Sequence, residues 1–262
     1  MANPQTLQQV LNRALTSLRE SPIPAGATSI TDPYQLTLLE FFNQVREEVE
    51  DAANWRALQQ TYTVTIPAGA SSAAITGTNE RSRLVRQAVM GGGRPQGSFW
   101  TPLIGADQLM PLVFDTTQPT GPGQFQLQEM PLGALQYMLA TTNNQTTAYP
   151  SAFALSTSNS ADSDAGNAEQ WLYVFPPPNN QRTIQLTMVT PENTYEPTDV
   201  GRNIYVPTLP IVHGLQWMAR EERGEELGAN SMYSEQRYRS LLDSAVAREN
   251  AEAGDTNDMI LV

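Results

Sequence analysis

Residues 32–66 read DPYQLTLLEFFNQVREEVEDAANWRALQQTYTVTI, and the hydrophobic period changes within them. Asp32 before Pro33 pairs a capping carboxylate with a residue suited to the first helical position. Leu38, Phe42, Val45, Val49 and Ala52 then recur at 4-3-4-3 spacing, which predicts one bundle-type face. Glu40, Glu47 and Glu50 lie off that stripe, and Trp55 marks the helix end. From Thr61 the pattern alternates as Tyr62-Thr63-Val64-Thr65-Ile66, the period of a strand. The chain therefore passes from helix to sheet near residue 58.

Working outward, an earlier helix is predicted from an Asn3 cap and Pro4, with Leu7, Leu11, Ala14 and Leu18 on one face. Prolines at 22 and 24 end it. Downstream, Pro67-Ala68-Gly69 reads as a turn and Ser72 to Ile75 as a short returning strand. Residues 83–90 form a further strand candidate, and residues 99–114 a short helix. Strands are expected around residues 124–128, 136–140 and 151–154. Residues 141–147 and 156–168 are polar and of low complexity, which predicts exposed hairpin loops. Trp171 to Phe175 and Thr183 to Val189, joined by Pro176-Pro177-Pro178-Asn179-Asn180, read as an antiparallel hairpin. A helix capped by Thr208, with Pro210 in its first turn, should run to about Leu227, with Gly228 beyond it. A last helix from Ser231 to Gly254 carries Tyr238, Leu242 and Ala245 on one face, with Glu235, Arg239 and Asp243 on the exposed side.

Helix, helix, a run of strands and loops, then helix, helix is an α+β order rather than an alternating one. It predicts a helical bundle from residues 1–58 and 207–253, a central antiparallel β module over 59–206 with long polar loops, and a C-terminal extension over 254–262.

Composition narrows the chemistry. Among 262 residues there is no cysteine, no lysine and one histidine, His213, and the net charge is −12. Disulfides, thiolate metal sites, cysteine nucleophiles, Schiff-base lysines and the lysine of a phosphate loop are excluded. The acid excess argues against a general nucleic-acid binder. No apolar run approaches the roughly 20 residues of a membrane span, and the first residues lack the pattern of a secretory signal. The expectation is a protein assembled in the cytoplasm, without a membrane partner.

The remaining motifs favour structural roles. His213 has no local nucleophile or orienting carboxylate and reads as a structural histidine. Glu221, Glu222, Glu225 and Glu226 form a carboxylate cluster at helical spacing. It reads as a solvated acidic face, since no histidine completes a di-metal pattern. Paired carboxylates could alternatively serve glycan hydrolysis, which gives a cell-wall hydrolase as the competing class. A third class is a binding β module with incidental helices. Asp162-Ser163-Asp164-Ala165-Gly166 resembles a calcium loop but has its glycine at position five and Tyr173 at position twelve. Gly91-Gly92-Gly93 lacks the helix start and lysine of a phosphate cradle. No catalytic, cofactor-binding or metal residue is expected.

Charge is uneven. From Ala52 to Ala106 there are five arginines against one glutamate, a basic β-module patch with Arg81, Arg83, Arg86 and Arg94. From Glu221 onward there are four arginines against ten acids. The chain then ends on Met259-Ile260-Leu261-Val262, four apolar residues that favour docking on a neighbour.

Several motifs in order resemble one family. They are Val45-Arg46-Glu47-Glu48-Val49 leading to Trp55-Arg56-Ala57-Leu58, then Thr61 to Thr65, then Leu172-Tyr173-Val174-Phe175-Pro176-Pro177-Pro178. Ile204-Tyr205-Val206-Pro207 running into Ala219-Arg220-Glu221-Glu222, and the helix of Tyr233, Tyr238, Leu242 and Ala245, complete the set. The pattern is similar to the head-to-tail adaptors of short-tailed bacteriophages, also called tail accessory factors, packaged-DNA stabilisation proteins or tail tubular proteins A. The resemblance implies a helical bundle plus a β module, assembled as a ring, typically a dodecamer, beneath the portal at the virion's head–tail junction. Such a ring extends the DNA channel and receives the tail nozzle. Portal-facing residues would be Arg237, Tyr238, Met259, Ile260, Leu261 and Val262. Glu221, Glu222, Glu225 and Glu226 would line the channel, past which double-stranded DNA slides without sequence recognition. The polar loops between residues 115 and 170 look like an insertion relative to shorter members.

Overall fold

The computed structural model describes residues 4–88, 109–111, 113–117, 125–141, 147–157, 169–224 and 229–255. Along the chain come β1 (Gln5–Thr6), α1 (Leu7–Ser17), α2 (Pro33–Ala52), β2 (Gln59–Ile66), β3 (Ser72–Ile75), β4 (Arg83–Leu84), β5 (Arg86–Ala88), β6 (Leu109–Pro111) and β7 (Val113–Asp115). They are followed by β8 (Phe125–Gln126), β9 (Gln128–Glu129), α3 (Leu132–Thr141), β10 (Ala152–Thr157), β11 (Gln170–Phe175), β12 (Arg182–Val189), β13 (Asn203–Ile204), α4 (Thr208–Glu222) and α5 (Ala229–Asp255). The fold is α+β. It divides into a helical unit, Met1–Leu58 with Pro191–Val262, and a β unit, Gln59–Thr190. The expected β module ran to residue 206, so residues 191–206 change sides. Side chains of α2 and the β1–β13 pairing hold that stretch in the helical unit.

In the helical unit, α4 packs against α1, α2 and α5. The buried stripe of α2 contains Leu38, Phe42, Val45 and Val49, as its spacing predicts, but Ala52 is exposed and Glu50, expected off the stripe, is buried. Asp32 caps it by accepting from the Tyr34 and Gln35 amides at 3.0 and 3.1 Å. The cap of α1 is Thr6 rather than Asn3, in a reciprocal box with Gln9. The reason is tertiary. Gln5 and Thr6 pair with Ile204 and Asn203, and the Leu7 and Gln8 amides donate to the carbonyls of Arg202 and Val200. The first turn thus finds its acceptors across the unit.

Helix α4 begins as expected but ends at Glu222, five residues early. Gly224 takes φ +74° just beyond it, and its amide donates to the Glu221 carbonyl. That places the left-handed cap at Gly224, not Gly228. Helix α5 starts two residues before Ser231 and continues through Gly254. Helices α2 and α4 approach closely at Gly214. A Cβ there would lie 2.6 Å from Val45 Cγ1 and 3.4 Å from the Tyr238 ring.

The β unit holds two main sheets. One has strand order β3-β11-β10-β9, the other β2-β12-β7-β8 with β4 also on β12. Strands β5 and β6 form a separate ribbon. Inward residues of both main sheets share one core, with Ile75, Phe153, Leu172 and Val174 from the first and Val64, Ile66, Ile184 and Leu186 from the second. The alternation Leu172, Val174 and Ile184, Leu186, Met188 supplies these inward faces.

Both expected hairpins are replaced by crossings between sheets. Strand β12 pairs with β2 over its whole length, from Arg182↔Ile66 to Val189↔Gln59. Strand β11 pairs with β3 and β10. The connections at 67–71 and 176–181 each carry the chain from one sheet to the other. Three consecutive prolines cannot supply ladder amides or a two-residue hairpin turn. The connections instead bind each other, the Gly69 amide donating to the Pro178 carbonyl at 2.8 Å.

Two further expectations are corrected. The helix expected over residues 99–114 is strand where described, at β6 and β7, with Val113 and Asp115 buried on alternate positions. The strand expected at residues 136–140 is inside helix α3. Leu132, Leu135, Met138 and Leu139 have helical spacing, and the buried Leu135 packs the helix on β10 and β11.

The crowding at Gly214 generates a contrast. Gly214→Ala should cost about 1–3 kcal/mol through overpacking against Val45. Gly133→Ala, in α3 with no atom near the added Cβ, should be neutral or stabilising by up to about 1 kcal/mol. Urea unfolding of both variants measures the difference.

Candidate functional site

The densest polar arrangement in the helical unit surrounds Arg46, which is fully buried. Its Nη1 lies 3.1 Å from Glu50 Oε1, 2.8 Å from the Glu192 carbonyl and 3.3 Å from the Asn193 carbonyl. Asn43, one turn earlier, exchanges two hydrogen bonds with the Tyr195 backbone, both at 3.0 Å. The Tyr195 ring meets Phe42 edge-on at 5.2 Å. The guanidinium groups of Arg46 and Arg202 lie 5.3 and 4.1 Å from its centroid. One stretch of α2 and one extended segment are thereby fastened by charge-assisted bonds and a shared aromatic ring.

The Tyr195 hydroxyl lies 2.6 Å from Glu192 Oε2 and 2.7 Å from the Asn203 carbonyl. Burial pushes the Glu192 carboxyl above its ordinary range, against the opposing pull of Tyr195, Arg202 and Arg46. Burial, reinforced by Glu192, also pushes the Tyr195 phenol up. The Tyr195 hydroxyl donates toward both the Glu192 carboxylate and the Asn203 carbonyl, tying the two together.

The sequence-derived site residues are not gathered in one place. Glu221 Oε1 accepts from Trp217 Nε1 at 2.5 Å, a contact within α4. Glu222 is exposed in the last helical turn. Glu225 and Glu226 lie outside the described residues, as do Arg94, Met259, Ile260, Leu261 and Val262, the glycine run at 91–93 and the Asp162–Gly166 motif. Among the described residues no three His, Asp or Glu side chains could share a metal ion.

Arg237 is exposed. Tyr238, expected on the packed face of the last helix and in the portal contact, is 4% exposed, donates to Glu48 Oε2 at 2.8 Å and stacks on Trp217 at 6.1 Å. It holds α5 to α2 and α4, so its own chain covers it. In the β unit, Arg86 pairs with Glu129 at 2.9 Å, with both side chains substantially exposed. Arg83 sits on β4 opposite Val189, and the Arg81 amide donates to Asn79 in the preceding turn.

His213 lies half-buried on α4. Burial, then the charges of Arg237, Arg13 and Arg220, push its imidazole below the ordinary range.

Exposed aromatic and apolar side chains form a class that periodicity did not reveal. Tyr137 is 70% exposed, Tyr233 63%, Tyr205 55% and Met232 54%. Helical spacing could have exposed the Tyr137 case, had α3 been recognised. Among the described residues no helix is long and apolar enough to cross a membrane. No family model and no curated protein matches the chain.

Two outcomes follow from the polar knot. Arg46→Leu should cost about 3–5 kcal/mol, because Glu50 is then left buried without the guanidinium; chemical denaturation measures it. For Glu192 the folded state binds its proton more tightly than the unfolded chain. Stability is therefore greatest below the unfolded carboxyl pKa and falls as pH rises through the raised folded one. Glu192→Gln should flatten that fall in melting temperatures recorded between pH 4 and 8.

Proposed function

We propose that this chain is a structural head-to-tail adaptor of a short-tailed phage virion. In this reading it forms a ring beneath the portal, extends the DNA channel, retains packaged DNA and gives the tail nozzle its attachment site. One observation carries the reading. The helical unit is built from both ends of the chain, and a β unit is inserted between residues 58 and 191. The adaptor resemblance implies that arrangement, and its motifs span the same joints. Val45 to Leu58 leads out of the helices, and Ile204 to Pro207 leads back into them.

The chemistry is compatible with a passive conduit. The helical unit contains twenty acids against ten arginines. An acidic lumen repels phosphates and lets duplex DNA move without adhering. Glu221 and Glu222, at the end of α4, are candidates for that surface together with Glu225 and Glu226. The portal contact is assigned to the apolar residues 259–262 and the exposed Arg237. The ring is expected to be a dodecamer, assembled in the host cytoplasm and placed at the head–tail junction.

The test is a mass measurement of the chain alone and with the portal ring of the same virion. The full chain should join the portal in a fixed stoichiometry. Deleting residues 255–262 should leave the circular dichroism spectrum and melting intact while weakening portal binding at least tenfold. Unchanged binding of the truncated chain removes the tail assignment, and no binding by the full chain removes the adaptor reading.

A further inference from the structure

One side of the helical unit departs from its acidic balance. Helix α1 has no acidic residue, and α4 has none before Glu221. Pairing of β1 with β13 places Tyr205 directly after the strand residue opposite Gln5. The Gln5 side-chain oxygen then accepts from Arg13 Nη1 at 3.2 Å and from the Thr208 hydroxyl at 2.8 Å. Arg13 is thereby held beside the first turn of α4. Tyr205 and Leu209 are 55% and 42% exposed there. His213 follows one helical turn above Leu209. Arg237 lies next, adjacent to Tyr238, whose ring approaches the Gly214 position. The result is an apolar centre with an arginine rim, the usual composition of a protein contact.

Helix α2 presents the opposite chemistry. Its one arginine, Arg46, is buried and lies 3.6 Å from the half-exposed Glu47 carboxylate, while Glu40 and Asp51 are exposed on the same outer stripe. Glu40, Gln44, Glu47 and Asp51 follow the helical repeat along that stripe. A single unit thus offers a basic, apolar-centred face on α1 and α4 and an acidic face on α2. Two such faces on different surfaces of one molecule make a head-to-tail contact, not a two-fold one.

We propose that the Arg13, Tyr205, Leu209 and Arg237 face of one copy docks on the Glu40, Glu47 and Asp51 stripe of a second copy. Charge complementarity selects a copy of this chain as the occupant, orients it and makes the contact sensitive to salt. The proposal deepens the adaptor reading by naming the surfaces through which ring neighbours meet, yet it can be tested without a portal.

The experiment uses the full chain and two charge-reversal variants, Arg13→Glu with Arg237→Glu and Glu40→Arg with Asp51→Arg. All four positions are exposed, and thermal melts check that both variants stay folded. Sedimentation at low salt should show self-association of the parent, weakened at least tenfold by 0.5 M salt. Each variant alone should associate at least tenfold more weakly. An equimolar mixture should restore association, because every contact between unlike variants again joins a basic face to an acidic one. The absence of cysteine gives a second measurement. Arg13→Cys mixed with Glu40→Cys should yield an oxidised heterodimer in preference to either homodimer.

The proposal is overturned if the parent stays monomeric at 100 µM, or if both variants associate like the parent. It is also overturned if the Arg13 and Arg237 variant loses only duplex-DNA binding, which would make the face a phosphate contact. Copies that associate through these faces but ignore the portal sink the adaptor reading alone. Portal rings that fill normally with both variants sink this contact alone.

Discussion

The buried guanidinium of Arg46 is the constraint on which the helical unit rests. Desolvating a cation without compensation is unfavourable by several kcal/mol. Arg46 avoids that only if residues 192–195 lie alongside α2 and deliver two carbonyls, with Glu50 supplying the counter-charge. Once that segment is fixed, Tyr195 stands against Phe42, Arg202 stacks on Tyr195, and β13 is placed to pair with β1. The first turn of α1 then finds its carbonyl acceptors at Val200 and Arg202. A single buried charge therefore propagates order from α2 to α1 through a segment with almost no regular secondary structure.

The β unit is held differently. Its core is apolar, and its two sheets are tied by connections that cross between them. Asp115 and Arg182, both nearly buried, approach to 3.5 Å, and the Arg182 guanidinium stacks on Tyr149 at 4.2 Å. Elsewhere Gln170 is buried with its amide donating to Thr78 and its side chain to the Ser82 carbonyl. These polar contacts satisfy groups at the ends of the core strands rather than organising the unit.

Legibility in the sequence followed the range of the responsible interactions. Helix α2 was readable because cap, proline and apolar stripe agree. Strands β11 and β12 were readable as strands, but alternation assigns a face and not a partner. Their true neighbours, β3 and β2, lie about a hundred residues away. Helix α3 was misread because a short uncharged apolar run suits either period. Residues 191–206 gave no local signal of their allegiance, which is set by Asn43 and Arg46 some 150 residues earlier. Of the site residues, Tyr238 was legible as part of the packed face of its helix, but its partners Glu48 and Trp217 lie on other helices and left no local signal. The salience of Arg46 lay in its position beside the apolar stripe of α2, four residues before Glu50. That spacing could have marked a buried pair.

The crossing connections also set an order of events during synthesis. Strand β2 must wait for β12, so its ladder cannot form until residue 189 has left the ribosome. Helices α1 and α2 wait longer, since α4, the helix each packs against, follows the whole β unit. The first fifty residues thus spend most of translation with their apolar stripes uncovered. The chain's first helices are made early, and their main packing partner, α4, comes only near the end.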